Sequence, residues 1–205
     1  GFISIFSWFS ILGITIGVSA IIIVMAVMNG FRSELTSRLL GMNGHLSVYS
    51  NINKISKENI DLLSSSNNIY SLVPSTETQA LFISDESSKG VILRGYDKEF
   101  LDKNHFLHMK IIKGDLFENN LNDVVIGYAL ANYFNLSIND KIKIAIPKTD
   151  KTIFGNIPRF KTLTIKGIFD LGMYEYDMNY IFPHYSLANK LLLLDDNNFN
   201  QLEIF

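Results

Sequence analysis

From Gly1 to Gly30 the chain carries no Asp, Glu, Lys or Arg, and no other feature limits the possible folds as much. As a helix rising 1.5 Å per residue, such a run spans roughly 40 Å, more than the ~30 Å hydrocarbon core of a bilayer requires. The surplus implies tilt or a protruding end without fixing an angle. A secretory signal peptide is the competing explanation for an apolar N-terminal run. Its apolar region is only ~7–15 residues long and closes on a small-residue cleavage site. Here Met25-Ala26-Val27-Met28 continues into Asn29-Gly30-Phe31-Arg32 without such a site. Residues 1–29 are therefore expected to form a transmembrane helix.

Small residues recur in this helix at Ser10, Gly13, Gly17 and Ala20. Spacings of three and four put them on one face, and Gly13 to Gly17 is a GxxxG motif. Such a face lets another helix or a lipid chain approach the backbone, although glycine is common in membrane helices generally. A lone anchor has no use for it, so the pattern favours an assembly of several helices. Beyond Gly30 the helical pattern persists. Phe31, Leu35, Leu39 and Met42 form an apolar stripe, Glu34 and Arg38 an i,i+4 pair, and Gly41 to Gly44 a terminator. Residues 30–44 are expected to be a stalk. Arg32 and Arg38 would mark this flank as cytoplasmic by the positive-inside rule, but the rule needs both flanks and only one is present.

The ~175 residues that follow suffice for one soluble domain or two small ones. A net charge of -2 gives no reason to expect nucleic acid as a partner, and the absence of cysteine excludes disulfides and thiolate chemistry. Both chain ends look cut, which points to a piece of a longer protein. No Walker A, GxGxxG, HExxH or GxSxG motif is present, so nothing marks a nucleotide site, zinc protease or hydrolase. His105 and His108 have metal-pair spacing but no third ligand nearby, and Lys103 and Lys110 flank them. His45 and His184 fall at strand edges, where structural hydrogen bonding is the usual role. Asp85-Glu86 and Asp195-Asp196 fall in turns. No catalytic, cofactor-binding or metal residue is assigned.

Pattern reading places strands at 45–49, 77–83 and 90–95, with a helix near 56–64, a β-α-β-β order that implies an α+β unit. A second block starts near Tyr96. It has strands at 123–126, 141–146, 162–169 and 180–182, and helices at 127–134 and 186–194. Pro147 ends one strand, and residues 147–161 read as a long loop. Its apolar Ile153, Phe154, Ile157, Pro158 and Phe160 lie among Lys148, Lys151, Arg159 and Lys161. Apolar side chains with a basic fringe suit a partner-docking surface, the alternative being that they fold back on their own domain.

Three stretches together resemble a known family. Ile16-Gly17-Val18, Val27-Met28-Asn29-Gly30-Phe31, Glu34-Leu35 and Leu40-Gly41 resemble the first-helix signature of lipoprotein-releasing ABC permeases. Lys113-Gly114-Asp115, Asp123-Val124-Val125-Ile126-Gly127, Leu130-Ala131 and Asp140-Lys141-Ile142 look like the middle of their periplasmic domain. Gly155-Asn156-Ile157-Pro158, followed by Phe160 and Lys161, is similar to the loop with which those permeases hook a periplasmic carrier. The Val27–Phe31 segment is fairly specific, whereas the block around Asp123–Gly127 is shared across the wider family of mechanotransmitting permeases.

The resemblance implies an α+β architecture: a transmembrane helix with a stalk, then a porter-like periplasmic domain with an inserted, mostly-β subdomain. The porter-like part would run over 45–95 and resume at 186–205, with 96–185 as the insertion carrying the hook-like loop 147–161. The N-terminus would be cytoplasmic in the bacterial inner membrane, and three further helices would follow the domain. The implied partners are a separate ATPase subunit, a second permease subunit, like or unlike, lipoprotein substrates and a periplasmic lipoprotein carrier. The carrier would dock on Pro147, Ile153, Phe154, Gly155, Ile157, Pro158, Arg159 and Phe160. Gly13, Gly17, Ala20, Met25 and Met28 would pack helices or line a lipid cavity, where methionine adapts to irregular apolar partners. Arg159-Phe160 departs from some members. Two other readings share parts of this evidence: a related permease for toxin or drug efflux or cell-division signalling, and a single-pass anchored binding or sensor domain.

Overall fold

The computed structural model describes residues 2–50, 55–64, 71–84, 87–98, 110–117, 120–152, 155–195 and 197–204; the side chains of 37–42 and 148–157 lie outside the description. The chain divides into two compact units, Gly1–Met42 and Asn43–Phe205. The first is helix α1, Phe2–Met42, so the expected membrane helix and stalk are one uninterrupted helix of roughly 60 Å. It is long and apolar enough over Phe2–Thr36 to cross a membrane, and none of that segment is buried within the chain. Its hydroxyl groups need not stay unpaired in such a setting, since Thr15 Oγ1 donates to the Ile11 carbonyl at 2.8 Å. In the stalk, Phe31 and Leu35 are exposed. The side chains of Arg38, Leu39 and Met42 lie outside the described residues.

The second unit is built on one mixed sheet. Its strands are β1 (Leu46–Tyr49), β3 (Leu72–Ile83), β4 (Ser88–Gly95), β5 (Ile111–Gly114), β6 (Asp123–Gly127), β7 (Lys141–Thr152), β8 (Gly155–Phe169), β9 (Tyr180–Pro183) and β11 (Gln201–Ile204). A separate two-stranded sheet pairs β2 (Ile55–Ser56) with β10 (Asn198–Phe199). The helices are α2 (Lys57–Ser64), α3 (Tyr128–Tyr133), α4 (Tyr174–Asn179) and α5 (Tyr185–Leu192).

Six strands close a ring. β3 pairs with β4, β4 with β9, β9 with β6, β6 with β8, β8 with β7, and β7 returns to β3 through Lys143–Ala145 against Leu81–Ile83. The β4–β9 and β6–β8 pairs are parallel and the others antiparallel. Closure removes edges that would otherwise stay unpaired. Side chains of period two fill the ring: Ala80 and Phe82, Val91 and Leu93, Val124 and Ile126, Ile142, Ile144 and Ile146, Leu163 and Ile165, and Ile181. Leu130 and Ala131 of α3, Met178 of α4, and Leu187 and Leu191 of α5 pack onto the same core. β6 is buried along its whole length, which explains its unbroken Val124-Val125-Ile126 run.

Beside the ring, β3 carries a second set of partners. Its first residues, Leu72–Ser75, pair with β11, which in turn pairs with β1. The last residues of the chain therefore return between strands from residues 46–49 and 72–83. Ile55, Ile60, Phe199 and Leu202 form a small core beneath them. Sequence reading missed α4, β5 and the β2–β10 pair. A six-residue helix such as α4 is too short to show a helical period. His184 is indeed structural, its Nδ1 accepting from the Ser186 backbone N–H at 3.2 Å to cap α5.

Candidate functional site

The segment expected as a long loop is instead a hairpin arm. The ladder runs regularly from Lys141↔Thr164 to Ile146↔Arg159, shifts register, and resumes at Asp150↔Ile157, Lys151↔Asn156 and Thr152↔Gly155. Between the regular pairs, three residues of β7 (147–149) face one residue of β8, Pro158. Pro147 and Pro158 have no N–H to donate, so this is where a ladder breaks most readily and the strands bend. The prolines interrupt the strands rather than ending them. Ile153 and Phe154 lie outside the described residues; Gly155 and Ile157 belong to β8 by their backbone, and the side chain of Ile157 lies outside the description.

At the bend an apolar groove of about 670 Å³ opens. The arm contributes Ala145, Pro147, Pro158 and Phe160, and the outward faces of β3 and β4 contribute Leu81, Ile83, Gly90 and Ile92. Gln79 and Asn179 supply side-chain amides; among the described residues no ionised side chain lines it. Phe160 is 54% exposed and Leu81 40%, a large apolar surface to leave in water at some 25 cal/mol per Å². Lys143 Nζ stands 4.9 Å from the Phe160 ring centroid, a cation–π contact that presents positive charge at the groove's rim. A Cβ on Gly90 would meet no atom within 4 Å, so this glycine leaves part of the wall unfilled.

Of the docking residues expected from sequence, the structure brings Pro147, Pro158 and Phe160 into this groove, and Arg159 sits beside them, half-buried, opposite Ile146. Leu81, Ile83, Gly90 and Asn179 were missed. The signal for the first two was the unbroken run Ala80-Leu81-Phe82-Ile83, since a strand apolar on both faces needs a cover on both. In α1, Gly13, Gly17, Ala20, Met25 and Met28 are exposed, and a Cβ on Gly13 or Gly17 would meet nothing within 4 Å. Among the described residues nothing covers the small-residue face.

Among the described residues no group of three or more His, Cys, Asp or Glu could hold a metal ion; His105 and His108 lie outside them. Asp177 of α4 is a buried carboxyl outside the sheet. Burial raises its pKa to about 6, with Asp170 adding to the rise and the hydrogen bond from the Leu171 N–H, at 2.8 Å, opposing it. By accepting from the Leu171 N–H its carboxylate ties down the turn before α4, and the Asp177 backbone lies so close to Gly127 that any Cβ there would collide with it.

The family described as MacB-like periplasmic core domain matches residues 7–202. Curated relatives include the "Lipoprotein-releasing system transmembrane protein LolC" of Xylella fastidiosa (strain 9a5c), 29% identical over 95% of this chain and 48% of the relative. The protein of the same description from Neisseria meningitidis serogroup B (strain ATCC BAA-335 / MC58) is 30% identical over 95% of this chain and 48% of the relative. The chain thus spans about half the length of these relatives. Among solved structures, the periplasmic region of MacB from Actinobacillus actinomycetemcomitans superposes with a TM-score of 0.53 at 13% identity, covering 80% of this chain and 76% of that one. The extracellular domain of the noncanonic ABC-type transporter YknZ from Gram-positive bacteria gives 0.52 at 12% identity, covering 78% and 81%. At such identities these two speak for the fold alone.

Proposed function

Because the chain belongs to the MacB-like periplasmic core domain family, we propose that it is the first helix and periplasmic domain of an ABC transporter permease subunit. In this reading the transporter extracts lipoproteins from the bacterial inner membrane and passes them to a periplasmic carrier. The observation that carries it is the identity of 29–30%, sustained over 95% of the chain, with proteins described as lipoprotein-releasing. ATP hydrolysis belongs to a separate subunit, and α1 packs through its Gly13/Gly17 face against other helices or a lipid chain. A second permease subunit, like or unlike, completes the membrane part. The porter-like part comprises 45–95 and 186–205, a division supported by β11 lying between β1 and β3; 96–185 is the insertion. The β7–β8 arm and its groove receive the carrier, a role supported by exposed Phe160, Leu81 and the prolines beneath a basic rim.

Depleting the protein in its host and following lipoproteins by membrane fractionation tests the reading. Lipoproteins should accumulate in the inner membrane. Normal export would leave a related permease with another cargo, which has the same architecture and moves no lipoprotein.

A further inference from the structure

Three exposed tyrosines meet at one cleft between α3 and α4. Tyr128 opens α3 and Tyr133 closes it, and Tyr174 opens α4. With Ala129, Asn132 and Asp177 they line a cavity of about 390 Å³. That is near the lower end of the ~300–1,000 Å³ usual for ligand sites, so it suits one small group. The three tyrosines are 44%, 65% and 66% exposed. A tyrosyl hydroxyl is content in water, but the ring faces are apolar and carry the negative side of the aromatic quadrupole.

The walls of the cleft are set by the packing beneath them. Leu130 and Ala131 of α3 and Met178 of α4 sit in the ring's core. At Gly127, directly before α3, the lack of a side chain lets the Asp177 backbone come close. The spacing of the two helices is thus fixed before any ligand arrives, which avoids the entropy of assembling a site on binding. Charge points the same way. Asp177 lines the cleft, its Oδ1 held by the Leu171 N–H, and with a pKa of about 6 its carboxyl is ionised at neutral pH. Among the described residues no Lys, Arg or His lines the cleft, and the stretch 170–177 that forms the α4 wall has no basic residue. Electron-rich ring faces beside a carboxylate are complementary to positive charge.

We propose that this cleft receives an arginine side chain of a partner protein, its guanidinium against the Tyr128, Tyr133 and Tyr174 rings and its charge balanced by Asp177. A guanidinium is flat and weakly hydrated, so it stacks on a ring face and keeps its edge donors for acceptors around it. The Asn132 amide oxygen and the tyrosyl hydroxyls are such acceptors. An ammonium is a compact, strongly hydrated charge and would lose more on entering. The cleft shares no residue with the groove at the proline bend. It is a second contact point, and the inference stands whether or not that groove receives a carrier.

The test uses the whole chain in nanodiscs, labelled with 3-fluorotyrosine and followed by fluorine NMR. The resonances of Tyr128, Tyr133 and Tyr174 are assigned from their Tyr→Phe variants. The probe is arginine blocked as N-acetyl-arginine methylamide, and its control is the citrulline analogue, which keeps the shape and lacks the charge. The arginine probe should shift the three resonances along a saturating curve, and citrulline should bind at least several-fold more weakly. Tyr133→Leu and Tyr174→Leu should each weaken binding about two- to fivefold, the worth of one exposed cation–π contact, at an unchanged unfolding midpoint. Tyr133→Phe and Tyr174→Phe keep the ring face and should retain most of it. Asp177→Asn, which keeps an oxygen for the Leu171 N–H, should weaken binding too; if it does not fold, the tyrosine pairs decide alone. Equal binding of arginine and citrulline, equal loss in the Leu and Phe variants, or no shift at these three resonances overturns the proposal. Tighter binding of spermidine than of blocked arginine makes the ligand a free polyamine and overturns the partner-protein assignment.

Discussion

The strands β7 and β8 behave differently on the two sides of their prolines. Toward the ring, residues 141–146 read Lys-Ile-Lys-Ile-Ala-Ile, the isoleucines and Ala145 are buried, and each residue has one partner on β8. Beyond Ile146 the register slips, Pro147 and Pro158 stand exposed, and an apolar groove lies open at the bend. One pair of strands therefore serves as closed core at its base and as open surface further out. The change comes from two residues that cannot donate to a ladder, with no change of secondary structure. The largest effect should come from breaking the base. Ile144 has no exposed surface, so Ile144→Ala should cost about 2–5 kcal/mol through lost burial and the cavity left behind. Urea unfolding measures it, and a cost below about 1 kcal/mol would mean the ring is not the stabilising core.

The arm should respond in the opposite way. Phe160 pairs with Ala145, one step inside the last regular pair of the base, yet its ring is in the groove and 54% of it is exposed. Phe160→Asp should leave unfolding within about 0.5 kcal/mol of the parent, as surface substitutions do. If the groove is the carrier's dock, its anchor residue is worth about 2 kcal/mol of binding, and photo-crosslinking to the carrier should fall strongly. Loss of folding with unchanged crosslinking would place Phe160 in the core and the dock elsewhere.

What could be read from the amino-acid order divides along the same line. The base was legible because local patterning and burial agree there: Lys141–Ile146 alternates with period two, and Asp123–Gly127 is an apolar run. The charge-free Phe2–Met28 segment was equally plain, because length and composition alone decide it. The arm misled because two prolines and a mixture of basic and apolar residues imitate a loop. Its strand character comes from cross-strand pairing that a linear pattern does not display. Ring closure through Leu81–Ile83 and Lys143–Ala145 joins positions some sixty residues apart, and the buried Arg94 guanidinium gathers Asn43, Glu77 and Glu203 from three separate stretches. A charge adjoining apolar residues in a strand, as at Arg94 after Val91-Ile92-Leu93 and at Glu203 between Leu202 and Ile204, was the available hint. It marks a buried partner without naming it.

The smallest expected effect is the sharpest separator of base from groove. Gly90 lies on β4 opposite Leu81, with open space where its Cβ would be. Gly90→Val places a β-branched residue in a strand, where it fits the pleat and restricts the unfolded chain. Stability should therefore rise, by about 0.4–1 kcal/mol. The same isopropyl group would intrude into the groove beside Leu81, so carrier crosslinking should drop while the fold tightens. A core position cannot give that combination, because there a change that strengthens packing does not remove a binding surface. If Gly90→Val raises the unfolding midpoint and leaves crosslinking intact, the groove is a by-product of the proline bend, and docking must rest on the arm's tip alone.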